Sequence, residues 1–133
     1  MSEAPPEWHR LLLEGAKRFE TGRSEEAIEI FRGLLSRDEI SATDKCTISC
    51  NIAMVLARTG RPDEAVTWYD HAAAYDPPTS TFFAAEEKAA ILHTHHRWHE
   101  AMATYAGLLA MPDLPEDARQ RIKHNVGVLR GDV

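Results

Sequence analysis

Apolar residues recur along this chain at spacings of three and four, which is the period of helices that bury one face. Proline and acidic residues mark several helix starts, most clearly in the run Pro62, Asp63, Glu64. We expect Ser24 to cap the second helix, and either Ser41 or Thr43 to cap the third. The pattern predicts an all-α fold with helices at about 7–21, 24–35, 41–60, 62–76, 80–95, 98–110 and 115–131.

A second, longer period runs through these helices. An alanine followed four residues later by an aromatic residue occurs three times, and the alanines, at 27, 65 and 101, lie 38 and then 36 residues apart. A small residue lies twelve positions before each alanine, and a glycine lies five before the first two, with His96 at the third such place. The positions that mark this internal repeat are Gly15, Gly22, Ala27 and Phe31, then Ala53, Gly60, Ala65, Tyr69, Ala72 and Pro77, and then Ala89, Ala101 and Tyr105.

These marks have a physical reason. A small residue and an aromatic ring one turn apart share a helix face, so a neighbouring helix can approach closely at the first and be held by the second. The glycine between the two helices supplies the unusual backbone angles that end the first one. We therefore expect tightly packed helix pairs.

In this order the marks resemble the tetratricopeptide repeat, a helix-turn-helix unit of about 34 residues. The resemblance implies a short right-handed superhelix of three such units, at about 8–41, 46–79 and 82–115, with a capping helix at about 115–130. It places one domain at residues 7–131, behind an N-terminal tail of residues 1–6.

Composition narrows the function classes. The net charge of −6 and the pI near 5.6 argue against nucleic-acid binding, because no face gathers the cations that phosphates need. The chain lacks a signal-peptide pattern and a stretch long enough to cross a membrane, and two cysteines cannot form a disulfide framework. We therefore expect a cytoplasmic protein, and Met1 and the polar ending RGDV favour a complete chain.

Candidate chemistry is sparse. Cys46 and Cys50 lie four apart on one helix face, where small buried or groove-facing residues are expected and a redox pair is the alternative. The stretch HTHHRWH at 93–99 offers imidazoles, with His95 and His99 as the weak candidates for a metal site, but it spans a turn. The sequence has no phosphate-binding glycine loop and no nucleophile motif, so we expect no enzyme and no cofactor.

What the resemblance implies is protein binding. In that family the first helix of each pair lines a concave groove that receives a peptide or helix of a partner. The corresponding positions here are His9, Leu12, Leu13, Ala16, Thr47, Cys50, Asn51, Met54, Arg58, Phe83, Glu86, Glu87, Ala90, Arg121, His124 and Asn125. Interhelical packing is the alternative role for Leu12, Leu13 and Phe83.

One subclass of the family grips a C-terminal carboxylate, and only Asn51 fits its pattern, because Phe83 and Glu87 stand where cations are needed. The lining suits an amphipathic helix or an extended apolar segment instead. We expect an adaptor or scaffold that binds another protein. Two alternatives stay open: self-association through Trp8 or the terminal helix, and metal-responsive regulation through the histidine-rich turn.

Overall fold

The computed structural model describes residues 6–75 and 79–131, with the backbone alone at 79–81. Within these residues it is entirely helical, which confirms the predicted fold class, and the helix bounds lie within two residues of those expected. The helices are α1 (Glu7–Glu20), α2 (Ser24–Leu35), α3 (Ala42–Arg58), α4 (Pro62–Tyr75), α5 (Thr79–Thr94), α6 (Trp98–Leu109) and α7 (Glu116–Arg130). None of them is long and apolar enough to span a membrane.

Each helix packs on the next one along the chain, and α3 also contacts α5. The buried side chains form two clusters. The first fills the space among α1 to α4 and reaches Ala84 on α5, whereas the second joins α5, α6 and α7. Since α5 contributes to both clusters, it connects the two halves of the core.

The first helix pair meets at a glycine. A Cβ atom on Gly15 of α1 would lie 2.5 Å from Cε1 of Phe31 on α2, well inside contact distance. The Phe31 ring therefore occupies the space that a side chain at position 15 would need. In the other two pairs the equivalent small residues, Ala53 and Ala89, are fully buried. Their aromatic counterparts, Tyr69 and Tyr105, are only 3% and 1% exposed.

The three turns inside the helix pairs share one geometry. In each turn the residue before the arginine has a positive φ, +82° at Gly22, +81° at Gly60 and 62° at His96. The following arginine donates its N–H to a carbonyl five residues back, at 2.8 to 2.9 Å in all three turns. This is the Schellman ending of a helix, and the third copy forms it without glycine.

A recurring arginine then links successive pairs. Arg61 donates to Glu64 in its own helix and, at 2.5 Å, to Glu25 of the preceding pair. Arg97 binds Glu100 in the same way and reaches back to Asp63. These exposed ion pairs contribute little free energy each, but they fix the same orientation between neighbouring second helices.

The structure confirms one of the two predicted helix caps. Ser41 caps α3 as expected, with its Oγ accepting from the Asp44 N–H at 3.1 Å. The prediction that Ser24 caps α2 was wrong, because Arg23 occupies the N-cap position. The Schellman turn has already set the direction of the chain there. On α5 the side chains of Phe82, Ala89 and Leu92 are buried, Ala85 is only partly buried, and Ala84 is fully buried against the first cluster. Pro77 lies outside the described residues.

Gly15→Ala should destabilise the protein by about 1–3 kcal/mol, because the new methyl group would push into the Phe31 ring. Gly33→Ala is the matched control, since a Cβ at this exposed position of α2 meets nothing within 4 Å. That control should stabilise the helix by up to about 1 kcal/mol. Urea unfolding of both variants measures the difference, and equal shifts would disprove the close contact.

His96→Gly should raise stability by about 1 kcal/mol or less, because glycine adopts the left-handed conformation without the side-chain penalty. The gain is limited by the loss of the edge-on contact between the His96 and Trp98 rings. His99→Gly, the same change within α6, should cost about 1 kcal/mol. Thermal unfolding followed by circular dichroism distinguishes the two, and a loss in both variants would contradict the turn argument.

Candidate functional site

A pocket of about 230 Å³ opens between the first helix pair and α3, and we call it the α1–α3 pocket. Four of the predicted groove residues line it together: Ala16, Asn51, Met54 and Arg58. The remaining lining residues, Phe19, Glu20, Phe31 and Val55, were not assigned to the groove. Phe31 and Val55 also belong to the core, since they are only 2% and 0% exposed, and Phe19 is partly buried.

The pocket combines an apolar interior with a polar rim. The Arg58 guanidinium lies 5.9 Å from the centre of the Phe19 ring, which shields one face of the ring and leaves the charge without an ion pair in the described part of the chain. The Asn51 amide is partly exposed and makes no hydrogen bond to any residue in 6–75 or 79–131. Such a site can take an apolar side chain and hydrogen-bond the backbone next to it.

A second part of the predicted groove lies on α5. Phe83 is 56% exposed, Ala90 two turns later is exposed, and Glu87 between them is partly buried. Leu13, Asn51 and Glu87 each lie 14 residues before the alanine of their repeat, at 27, 65 and 101, so they are structurally equivalent. Leu13 is 70% exposed, which favours a surface role over interhelical packing for it and for Phe83.

Of the three successive charged residues Glu86, Glu87 and Lys88, only Glu87 has no ion-pair partner among the described residues. Glu86 accepts two hydrogen bonds from the Arg121 guanidinium, at 2.6 and 2.8 Å, and Lys88 donates to Asp70 at 2.8 Å. Glu87 has no cation beside it among the described residues. Burial, followed by repulsion from Glu86, raises its pKa above the ordinary glutamate value.

The last helix joins this area through polar contacts. Besides the Arg121 pair, the Asn125 Nδ2 donates to the Tyr105 Oη at 3.4 Å. Arg119 holds α7 against the end of α6 by donating to the Leu109 and Met111 carbonyls at 2.9 and 3.1 Å. Thus Arg121 and Asn125 have intramolecular partners, while His124 is exposed.

Cys50 does not line the groove as predicted. Its side chain is only 5% exposed, and Cys46 one turn earlier is 1% exposed, because α3 is covered on this side by its neighbours. They form no disulfide, and burial raises the pKa of Cys50 to about 12, so it remains a neutral thiol at physiological pH. They fill the core as small apolar residues.

The other predicted residues lie at the edges. His9 and Leu13 border an open hollow at the start of α1 together with Pro6, Glu7 and Arg10, Leu12 is partly buried, and Thr47 is exposed. His95 and His99 are exposed on either side of the third turn. In the part of the chain that the structure describes, no three potential ligands come together as a metal site.

The model of the tetratricopeptide repeat family matches residues 47–79, which contain most of α3 and α4 and the residues Asn51, Met54 and Arg58. This segment of the chain is a tetratricopeptide repeat. No curated protein matches it. Among solved structures, its fold is similar to that of the type III secretion translocator chaperone SycD of Yersinia enterocolitica, with a TM-score of 0.68 and 15% sequence identity over 98% of this chain and 88% of that one.

The fold thus brings Ala16, Asn51, Met54 and Arg58 together in the α1–α3 pocket. A second group of predicted residues lies on α5, where the carboxylate of Glu87 is unpaired among the described residues. The repeat boundaries at 8–41, 46–79 and 82–115 stay predictions, apart from the segment that the family model matches.

Glu87→Gln should raise the melting temperature at pH 7. Because the folded-state pKa of Glu87 is raised, its protonated form is favoured in the folded protein, and stability from this group is lost as the pH rises through that pKa. Glutamine is neutral at every pH, so its advantage should disappear as the pH falls to about 4, where Glu87 is itself protonated.

The adjacent Glu86→Gln is the matched control, since it removes the partner of Arg121 and should lower the melting temperature at pH 7. Differential scanning calorimetry at several pH values measures both variants. A Glu87→Gln variant less stable than the wild type at pH 7 would contradict the electrostatic argument.

Proposed function

We propose that this protein is an interaction module, an adaptor or scaffold that binds a peptide or helix of another protein along the α1, α3 and α5 faces. The observation that carries the proposal is the α1–α3 pocket, where an apolar interior lies beside the unpaired amide of Asn51. An apolar anchor with a neighbouring backbone hydrogen bond is the usual way in which grooves bind segments of other proteins.

The surface around the pocket supports the same function. Leu13 on α1 and Phe83 on α5 are large apolar side chains that remain more than half exposed. Exposed apolar side chains beside a pocket are typical of interaction surfaces rather than of catalytic sites. The fold is also that of a protein described as a chaperone, which acts on other proteins.

The alternatives have less support. Trp8, expected to be available for self-association, is 8% exposed and belongs to the core, so that route would depend on the terminal helix, where Val128 is 40% exposed. A metal-responsive function would need ligands that converge, and the described histidines do not.

The double variant Asn51→Ala/Met54→Glu should lose the partner in a pull-down from lysate of the source cells, because it removes the amide and places a charge in the pocket. Asn51→Ala alone should leave the melting temperature nearly unchanged, since the amide has no partner to lose among residues 6–75 and 79–131.

Ala103→Glu, on the exposed side of α6, is the control for an added charge and should capture the partner as the wild type does. Circular dichroism first establishes that every variant is folded. Equal capture by the double variant and the wild type would refute binding at the pocket, and a large loss of stability in Asn51→Ala would show that this residue is structural.

A further inference from the structure

Glu87 is a carboxylate whose surroundings are unfavourable for it in the free protein. It is partly buried on α5, and its neighbours in sequence are already paired, Glu86 with Arg121 and Lys88 with Asp70. No described cation or hydrogen-bond donor compensates it. A carboxylate that loses water without gaining a partner lowers the stability of the fold, so packing alone does not account for glutamate at this position.

The position of Glu87 relates it to the binding surface. It occupies the place in the third repeat that Asn51 occupies in the second, and α3 and α5 are in contact. On its own helix Phe83 lies about one turn before it, and Ala90 about one turn after it, both exposed. The unpaired charge is therefore flanked by apolar surface that a partner segment would cover.

We propose that Glu87 is the specificity-determining residue of this surface and binds a lysine or arginine side chain within an otherwise apolar segment of the partner protein. The inference rests on the proposed function and names the partner's chemistry. An apolar segment would bury Glu87 further, so only a segment that carries a cation at that point compensates its charge.

The other uncompensated charge supports a fixed orientation of the partner. Arg58 lies two turns beyond Asn51 on α3, at the Phe19 end of the α1–α3 pocket, and has no described ion pair. The surface thus carries an unpaired anion on α5 and an unpaired cation towards the end of α3. A segment with its basic residue at Glu87 and an acidic residue at Arg58 could satisfy this pattern in only one direction.

The test uses a phage-displayed library of random twelve-residue peptides, selected against the full wild-type chain, against Glu87→Gln and against the control Glu29→Gln. Glu29 is exposed on α2, away from the α1–α3 pocket. Peptides selected by the wild type and the control should share one lysine or arginine between apolar residues. The same enrichment should be absent from peptides selected by Glu87→Gln.

A synthetic peptide of the selected sequence then allows a double-mutant cycle. Glu87→Gln should weaken its binding about tenfold, and so should replacement of its basic residue by methionine, as expected for one charge-assisted contact. The two changes together should weaken binding no further than either one alone. Tenfold losses that multiply would show that the two groups do not touch and would overturn the inference.

The outcomes separate the two proposals. Selected peptides that need Asn51 and Met54 but carry no basic residue, and bind Glu87→Gln as well as the wild type, would overturn the role of Glu87 and leave the proposed function standing. Failure to select any peptide, or peptides indifferent to Asn51→Ala/Met54→Glu, would refute the proposed function itself. A dimer in sedimentation that is lost in Glu87→Gln would assign the cation to a second copy and overturn a heterologous partner.

Discussion

The close approach of α1 and α2 at Gly15 is the constraint from which the rest of the architecture follows. The Phe31 ring fills the space beside the glycine, so the angle and distance of the pair are set by one missing side chain. Ala53 and Ala89 are buried at the same place in the next two pairs. The turn inside each pair and the arginine that follows it recur in the same geometry too.

That constraint also produces the candidate site. The Phe31 ring that packs against Gly15 also lines the α1–α3 pocket, together with Asn51 and Met54 of the next pair. Because the ring is only 2% exposed, it supports the pocket from within the core. A substitution that loosens the first pair would therefore affect binding through the pocket as well as stability, which is why variants of Asn51 and Met54 are better tests of binding than variants of Phe31.

The fold could be predicted from the sequence because its signals are local: helical periodicity and a small residue at a fixed distance from an aromatic one. About half of the α1–α3 pocket followed from the repeat positions, but Phe19 and Phe31 did not, since the side chains that border a pocket depend on how helices cross. The prediction that Cys50 lines the groove was wrong for the same reason, because its burial depends on how neighbouring helices cover α3. The arginines at 23, 61 and 97 repeat with the alanines and could have been recognised, whereas their bonds to the preceding pair depend on tertiary structure.

Two adjacent glutamates show why the charge of the site needed the structure. Glu86 and Glu87 are chemically identical, but successive residues on a helix point about 100° apart, so only one of them can face α7. Arg121 of α7 binds Glu86 with two hydrogen bonds, and its guanidinium is then committed to that partner. Glu87 is directed elsewhere and keeps its charge unpaired. The terminal helix thus does more than cover the core of the last pair, because by neutralising Glu86 it determines which carboxylate of α5 stays unpaired among the described residues.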